Sequence, residues 1–370
     1  MGKNILIIGN GGRENALAWK MREDGHNAIL KTGTHSELID FAKKENIYLT
    51  IVGPDQYLAD GLVDDFRKNK LRIFGPTKAQ ARIEASKDFA KKLMVELNIP
   101  TAKRYGKIPG VPIVIKKSGL ALGKGVTIAR TMKEAKNVLE SITDDEVVIE
   151  EYLDGMEISA HAFCDGKTFK MFPTAQDHKQ IFDGDKGPNT GGMGAIVPAV
   201  DIDASDIVNK IVKKLNYKGI LYPGLMLTKN GPKVLEFNAR FGDPEAQSYM
   251  RLLKTDLVAI ADACIDGTLD KIKIEWEKGF AATVVMASVG YPGNYKKGFE
   301  ITGIEKAEKI NGVVVFPAGM FENKTSGGRV LGVSAIGENL KDALGYAYKG
   351  VEKIDFIGKQ YRKDIGHRIL

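Results

Sequence analysis

The chain has 370 residues, 43% hydrophobic and 27% charged, enough for two or three packed domains with sizeable cores. Two cysteines, Cys164 and Cys264, exclude a disulfide framework and lack the spacing of a Cys/His metal cluster, so they read as buried thiols in a reducing compartment, the cytoplasm. The net charge of +7 comes from scattered pairs such as Lys91-Lys92 and Lys213-Lys214 rather than an aromatic-interleaved basic stripe, which argues against nucleic acid; the N-terminus shows no leader pattern and no apolar run is long enough to span a bilayer.

In chain order, residues 4–8 predict an apolar strand, Gly9, Asn10, Gly11 and Gly12 a tight turn, and 13–22 a helix with Ala16, Leu17 and Met21 inward. The runs 49–52 and 71–74 repeat the strand pattern, each ending in Gly-Pro (Gly53-Pro54 and Gly75-Pro76), so a parallel α/β domain is expected over residues 1–100. Ile99, Pro100 and Thr101 mark a linker. The next unit, 101–297, opens with a small α+β lobe at about 104–170, in which a strand over 111–117, a glycine-rich loop, a helix over 132–141 and a strand over 146–151 succeed one another. A larger lobe follows, with the glycine-rich run 183–194 and a helix over 205–215. From 298 to 370, short strands, glycine turns and an amphipathic helix over 340–354 predict a small C-terminal α+β domain.

The strand expected over 233–240 carries Glu236, Asn238 and Arg240 at alternate positions, hence on one face. A carboxylate, an amide oxygen and a guanidinium in such a row suit a hard cation beside an anion clamp; a half-exposed edge strand is the plainer alternative. The turn at 9–12 invites a dinucleotide reading, but Glu14 stands where the third glycine is required and Lys31 where the acidic partner belongs. A phosphate at this helix N-terminus or a simple tight turn remains. Lys116 ends a strand that enters three glycines, Gly119, Gly123 and Gly125, with Lys124 between the last two; the pattern suits a flap over polyphosphate or a plain hairpin, and it is not a Walker A loop.

Beyond the flap, residues 147–153 lead into Asp154-Gly155, a connector whose backbone could pair with adenine while Glu157 takes ribose hydroxyls, although surface acids explain Glu150 and Glu157 as well. Asp177, His178 and Lys179, followed by the long polar loop 183–194, suggest substrate recognition, since so many glycines are costly in backbone entropy for a mere connector. No nucleophile pairs with His178 by spacing, which assigns it to binding.

Taken together, the segments 9–14, 52–55, 74–77, 86–87, 119–125, 176–179, 183–194, 235–245, 325–331 and 361–366 resemble the ATP-grasp ligases, most closely the phosphoribosylamine–glycine ligase (glycinamide ribonucleotide synthetase) family. The resemblance implies an N-terminal parallel α/β (pre-ATP-grasp) domain, a two-lobed ATP-grasp domain and a small C-terminal α+β domain. It implies that Lys87 and Lys116 contact ATP phosphates beneath the flap of Gly119, Gly123, Lys124 and Gly125, that Glu150 and Leu153 hold adenine, and that Glu157 holds the ribose. Glu236 and Asn238 would ligate Mg²⁺ or Mn²⁺, with Arg240 and Lys116 catalytic. Gly11, Gly12 and Arg13 would take the ribose phosphate; Asp177, His178, Lys179, Asp185, Asn189, Thr190, Gly191, Gly192 and Asp243 would receive ribosylamine and glycine.

The implied partners are small molecules only, ATP, glycine and phosphoribosylamine, for a monomer or weak homodimer. The chain departs from the family's usual residues at Asn15, Lys117-Ser118, Gln180 and Pro317, and its N-terminal domain is shorter between Lys31 and Glu37. These departures keep open a ligase with a different amine or carboxylate. A non-catalytic nucleotide-binding protein on the same scaffold is a further alternative.

Overall fold

The computed structural model describes residues 2–117, 119, 125–142 and 147–370. Gly123 and Lys124 of the expected flap lie outside them. The N-terminal sheet is parallel, ordered Asn27–Lys31, Asn4–Ile8, Leu49–Val52, Ile73–Phe74. Ile5 through Ile8 are fully buried because the sheet is covered on both faces. Ile5 and Ile7 pack with Ala16, Leu17 and Met21 of helix Gly12–Glu23, while Leu6 and Ile8 face Leu38, Leu62 and Phe66 on the other side.

The glycines of the first turn serve Glu14 rather than a dinucleotide. A Cβ at Gly9, Gly11 or Gly53 would come within 2.8 Å of the Glu14 side chain, which accepts the Gly11 N–H at 2.7 Å. The carboxylate thereby caps the start of its own helix, where the dipole favours negative charge.

Downstream, an antiparallel sheet ordered Arg104–Tyr105, Val147–Glu151, Ile113–Lys117, Val126–Ala129 is backed by helix Met132–Glu140 and forms the small lobe. The large lobe is a sheet of Phe169–Met171, Ala162–Asp165, Lys218–Thr228 and Gly231–Asn238, with Met156–Ser159 also paired to Lys218–Thr228 and helix Ser205–Leu215 packed on it. The long glycine run folds as a hairpin, Gln180–Phe182 against Lys186–Asn189.

A further sheet runs Gln176–Asp177, Gly194–Val197, Phe280–Ser288, Arg329–Gly337, Val313–Pro317, with Lys359–Gln360 beside Phe280–Ser288 and helix Leu340–Lys353 packed into its core. Its hub, Phe280–Ser288, lies before residue 298, where the sequence reading starts the C-terminal domain. The C-terminal unit therefore takes in this strand, and its sheet continues into the strands flanking the glycine-rich hairpin. No described helix is long and apolar enough to cross a membrane.

Candidate functional site

The four units meet around a cleft of about 490 Å³ whose wall includes Arg13, Asp55 and Glu84 from the first domain, both lobes, and Tyr291 and Arg329 from the C-terminal unit. Residues after the parallel strands reach it because such sheets present their ligand crevice at the carboxyl ends. One end is apolar: Ala90, Met94, Val114, Val126, Leu153 and Phe237 form a slot between helix Lys87–Glu96 and the sheets of both lobes. A slot of this kind takes a flat heterocycle, with the backbone at Leu153 on its rim.

Cations follow. Lys87 opens helix Lys87–Glu96, whose N-terminus Ser86 caps by accepting the Phe89 N–H at 3.2 Å. Its Nζ donates to the Gly119 carbonyl at 2.8 Å, and burial pulls its pKa down. One turn on, Lys91 Nζ sits 2.7 Å from Glu150 Oε1, and Lys116 Nζ sits 2.7 Å from Glu150 Oε2 and donates to the Leu235 carbonyl at 2.8 Å. Lys91, Lys116 and Glu150 are buried, and Lys87 is half-buried. Both oxygens of Glu150 are thus engaged by lysines, so its carboxylate holds Lys116, and any adenine contact falls to its backbone.

Glu236, Asn238 and Arg240 all face the cleft. The strand ends at Asn238, and a bulge that pairs Gly224 with Glu236 and Leu225 with Val234 sets the aim of Glu236. Arg240 lies beyond the strand, 3.0 Å from Glu84 Oε1, and it donates to Asn238 Oδ1 at 3.3 Å. Burial raises the Glu84 pKa against the pull of Arg240, whose Nε has no hydrogen-bond partner among the described residues. Glu236 makes no hydrogen bond or ion pair among the described residues. No group of three acidic, His or Cys side chains there could enclose a metal ion. Two oxygen donors on an open wall fit Mg²⁺, which is held by one or two carboxylates plus substrate phosphates rather than by a protein cage.

Asn189, Thr190 and Gly191 come off the hairpin onto the wall, which Lys179, Asp243, Glu245 and Glu157 also line. Lys179 Nζ is 2.7 Å from Asp177. Burial, helped by Glu245, pushes Asp177 up to about 7 against the pull of that lysine. Burial also raises Glu157.

Arg329 donates to the carbonyls of Gly191 (2.7 Å) and Asp243 (2.9 Å) and pairs with the Asp243 carboxylate at 2.7 Å. Gly11, Gly12, Asp177, His178, Asp185 and Gly192 do not line the cleft. His178 spends both nitrogens internally: Nδ1 donates to the Gly194 carbonyl (3.1 Å) and Nε2 accepts the Gly366 N–H (2.9 Å), which leaves no polar atom for a substrate. Burial holds it neutral, with its pKa pushed down to about 4. Asp185 is paired with Arg362 and Arg368.

Asp55, Glu84, Tyr222, Glu245, Tyr291 and Arg329 are wall residues that sequence reasoning did not assign. Asp55 had a signal, its place directly after Gly53-Pro54 at a strand's carboxyl end. Arg329 falls in the segment 325–331 that carries the resemblance, without an assigned role, whereas Glu84 and Tyr291 arrive from other units and carry no local signal.

Models of the three phosphoribosylglycinamide synthetase domains match in succession, the N domain over residues 3–84, the ATP-grasp (A) domain over 85–246 and the C domain over 281–368. The chain belongs to the phosphoribosylglycinamide synthetase family. Among relatives in this family, the phosphoribosylamine–glycine ligase of Brucella melitensis is 42% identical, covering 99% of this chain and 98% of its own. That of Caldanaerobacter subterraneus is 43% identical, over 98% of this chain and 99% of its own. The Brucella alignment runs over 419 residues, so that synthetase has segments this shorter chain lacks.

Among solved structures, the synthetase-family phosphoribosylamine–glycine ligase of Thermotoga maritima superposes with a TM-score of 0.79 at 32% identity, over 98% of this chain and 99% of the other. The biotin carboxylase domain of Hydrogenobacter thermophilus 2-oxoglutarate carboxylase reaches 0.75 at 14% identity, over 98% and 92%, a likeness of fold alone.

Proposed function

We propose that this synthetase-family enzyme joins glycine to 5-phosphoribosylamine at the expense of ATP, giving glycinamide ribonucleotide, ADP and phosphate in purine biosynthesis. The observation that carries the reading is the set of groups gathered on one cleft: apolar side chains, buried lysines, metal-type oxygens and a polar glycine-rich wall. A glycine carboxylate oxygen attacks the γ-phosphorus, the bond to the β-phosphate oxygen breaks, and ADP leaves a glycyl phosphate. The amine nitrogen then attacks the acyl carbon, the carbon–oxygen bond to phosphate breaks, and an amide forms with loss of a proton from nitrogen.

Adenine lies in the slot with its edge toward the backbone at Glu150 and Leu153, and Glu157 takes the ribose. Lys87 and Lys116 offset the triphosphate charge so that a carboxylate can approach it, and Arg240 faces the oxygens that exchange the phosphoryl group. Gly119 and Gly125 close over the phosphates and keep water from the acyl phosphate. Lys179, Asn189, Thr190, Gly191 and Asp243 orient glycine and the ribosylamine, and Arg13 at the first helix takes the ribose phosphate. Mg²⁺ or Mn²⁺, when bound by Glu236 and Asn238, supplies further neutralisation of phosphate charge. The reading is of a cytoplasmic enzyme working on small molecules, a monomer or weak homodimer; the two buried free thiols fit a reducing compartment.

The test is ADP release with phosphoribosylamine and glycine. Release only with another amine and carboxylate would remove the substrate assignment and leave the reaction class.

A further inference from the structure

The C-terminal run 362–368 makes a set of contacts that the chemistry above does not use. Arg362, fully buried, donates to Asp364 from Nε and Nη2 (2.8 and 2.9 Å) and to Asp185 Oδ1 from Nη1 (2.9 Å). Asp364 in turn accepts the Gly184 N–H at 2.7 Å. Arg368 donates to the other Asp185 oxygen from Nε (2.7 Å) and to the Gly155 carbonyl from Nη1 (3.2 Å).

Asp185 is in the turn of the hairpin whose second strand delivers Asn189 to the cleft, and it holds a left-handed φ of 53°. Glycine or asparagine would adopt that backbone more easily, so conformation alone does not select an aspartate there. Its two arginine partners account for it. Gly155 is in the connector between Leu153 and Glu157, two wall residues that the proposed function gives to the nucleotide. A Cβ there would come 2.2 Å from the Leu227 carbonyl oxygen, so the connector lies hard against the large lobe.

We propose that Arg362 and Arg368, meeting on Asp185, are positioning residues that fasten the acceptor hairpin to the inter-lobe connector, so that nucleotide and ribosyl substrate strengthen each other's binding. Each ligand must order its own side of the cleft, at a cost in conformational entropy. With one anchor common to both sides, the ligand that binds first has already ordered part of what the second requires. Asp364 sets the direction of Arg362, and Arg368 hydrogen-bonds both the hairpin and the connector.

This rests on the proposed function, and the test separates the two. Titration calorimetry measures the affinity of a non-hydrolysable ATP analogue with and without saturating glycinamide ribonucleotide, and the converse. In the unaltered protein each ligand tightens the other by about fivefold or more. In Arg368→Ala that ratio falls toward one while each ligand alone binds within about twofold of normal, and Arg368→Lys, which keeps a charge on Asp185, restores part of it. Arg368 is partly exposed, so its loss leaves the fold intact; unchanged thermal melting checks this. Binding of both ligands with the same ratio in Arg368→Ala, or with no mutual effect in the unaltered protein, overturns the inference alone. Failure of glycinamide ribonucleotide to bind at all overturns the functional reading and the inference with it.

Discussion

Lys116 is held by a carboxylate that it shares with Lys91, and Lys91 does not touch the cleft. With Lys91→Met, Glu150 has one lysine left and draws Lys116 more strongly, away from phosphate. The Km for ATP should rise about tenfold, which corresponds to about 1.4 kcal/mol, with the Km for glycine little changed. Lys91→Arg should recover part of it, and steady-state kinetics with each substrate varied decides the matter. Glu236 is the complementary case, a carboxylate with no hydrogen-bond or ion-pair partner among the described residues. Glu236→Gln should weaken the apparent metal affinity at least as much as loss of an outer-sphere partner does, about 10–100-fold, without shifting the melting temperature; ADP release titrated with Mg²⁺ checks it. At this scale the sequence pointed at residue types but not at their partners. The spacing of Glu236, Asn238 and Arg240 was legible because strand periodicity is local. The use of Glu150 by two lysines was not, since Lys91 reaches it from a helix far along the chain.

Among the elements, the apolar slot is built by one helix and strands of two sheets, none of which reveals it alone. Val114 is on a small-lobe strand with its side chain on the wall, so a larger group there enters the slot rather than a packed core. Val114→Trp should raise the Km for ATP by about tenfold or more, while overpacking costs the fold no more than about 1–3 kcal/mol. An unchanged Km for ATP would remove the slot as the adenine site. The strands ending in Gly-Pro and the first helix could be read in advance, because apolar runs and turn residues are local signals. The hairpin at 180–189 could not, since Gly184, Asp185 and Gly187 suit a loop equally well until Arg362 and Asp364 fix it. The bulge that skips Leu235 also escapes notice, because its cause is pairing with a strand, not composition.

For the molecule as a whole, two buried histidines tie stability to pH. Burial lowers His178 to about 4 and His161 to about 3, below the ordinary value near 6.5. The unfolded chain therefore binds more protons than the folded one between those values, so their contribution is complete above about pH 6.5 and is lost as pH falls toward 4. For His178 alone this is roughly 3 kcal/mol. Denaturant midpoints at pH 7 and pH 4.5 should differ accordingly, and His178→Asn should flatten the dependence; an equally steep fall in that variant would exclude His178 as its source. The pairing of strand 280–288 with strands on either side of residue 298 was not legible in the sequence, because an apolar run does not name its partners. Those partners have a consequence for how the protein is made. The strand Gly194–Val197 has no neighbour on its inner side until Phe280–Ser288 has left the ribosome, and Phe280–Ser288 then awaits Arg329–Gly337. For the seconds that synthesis takes between them, the nascent chain carries a bare strand edge. The glycine-rich wall is thus completed only after both later strands have been synthesised.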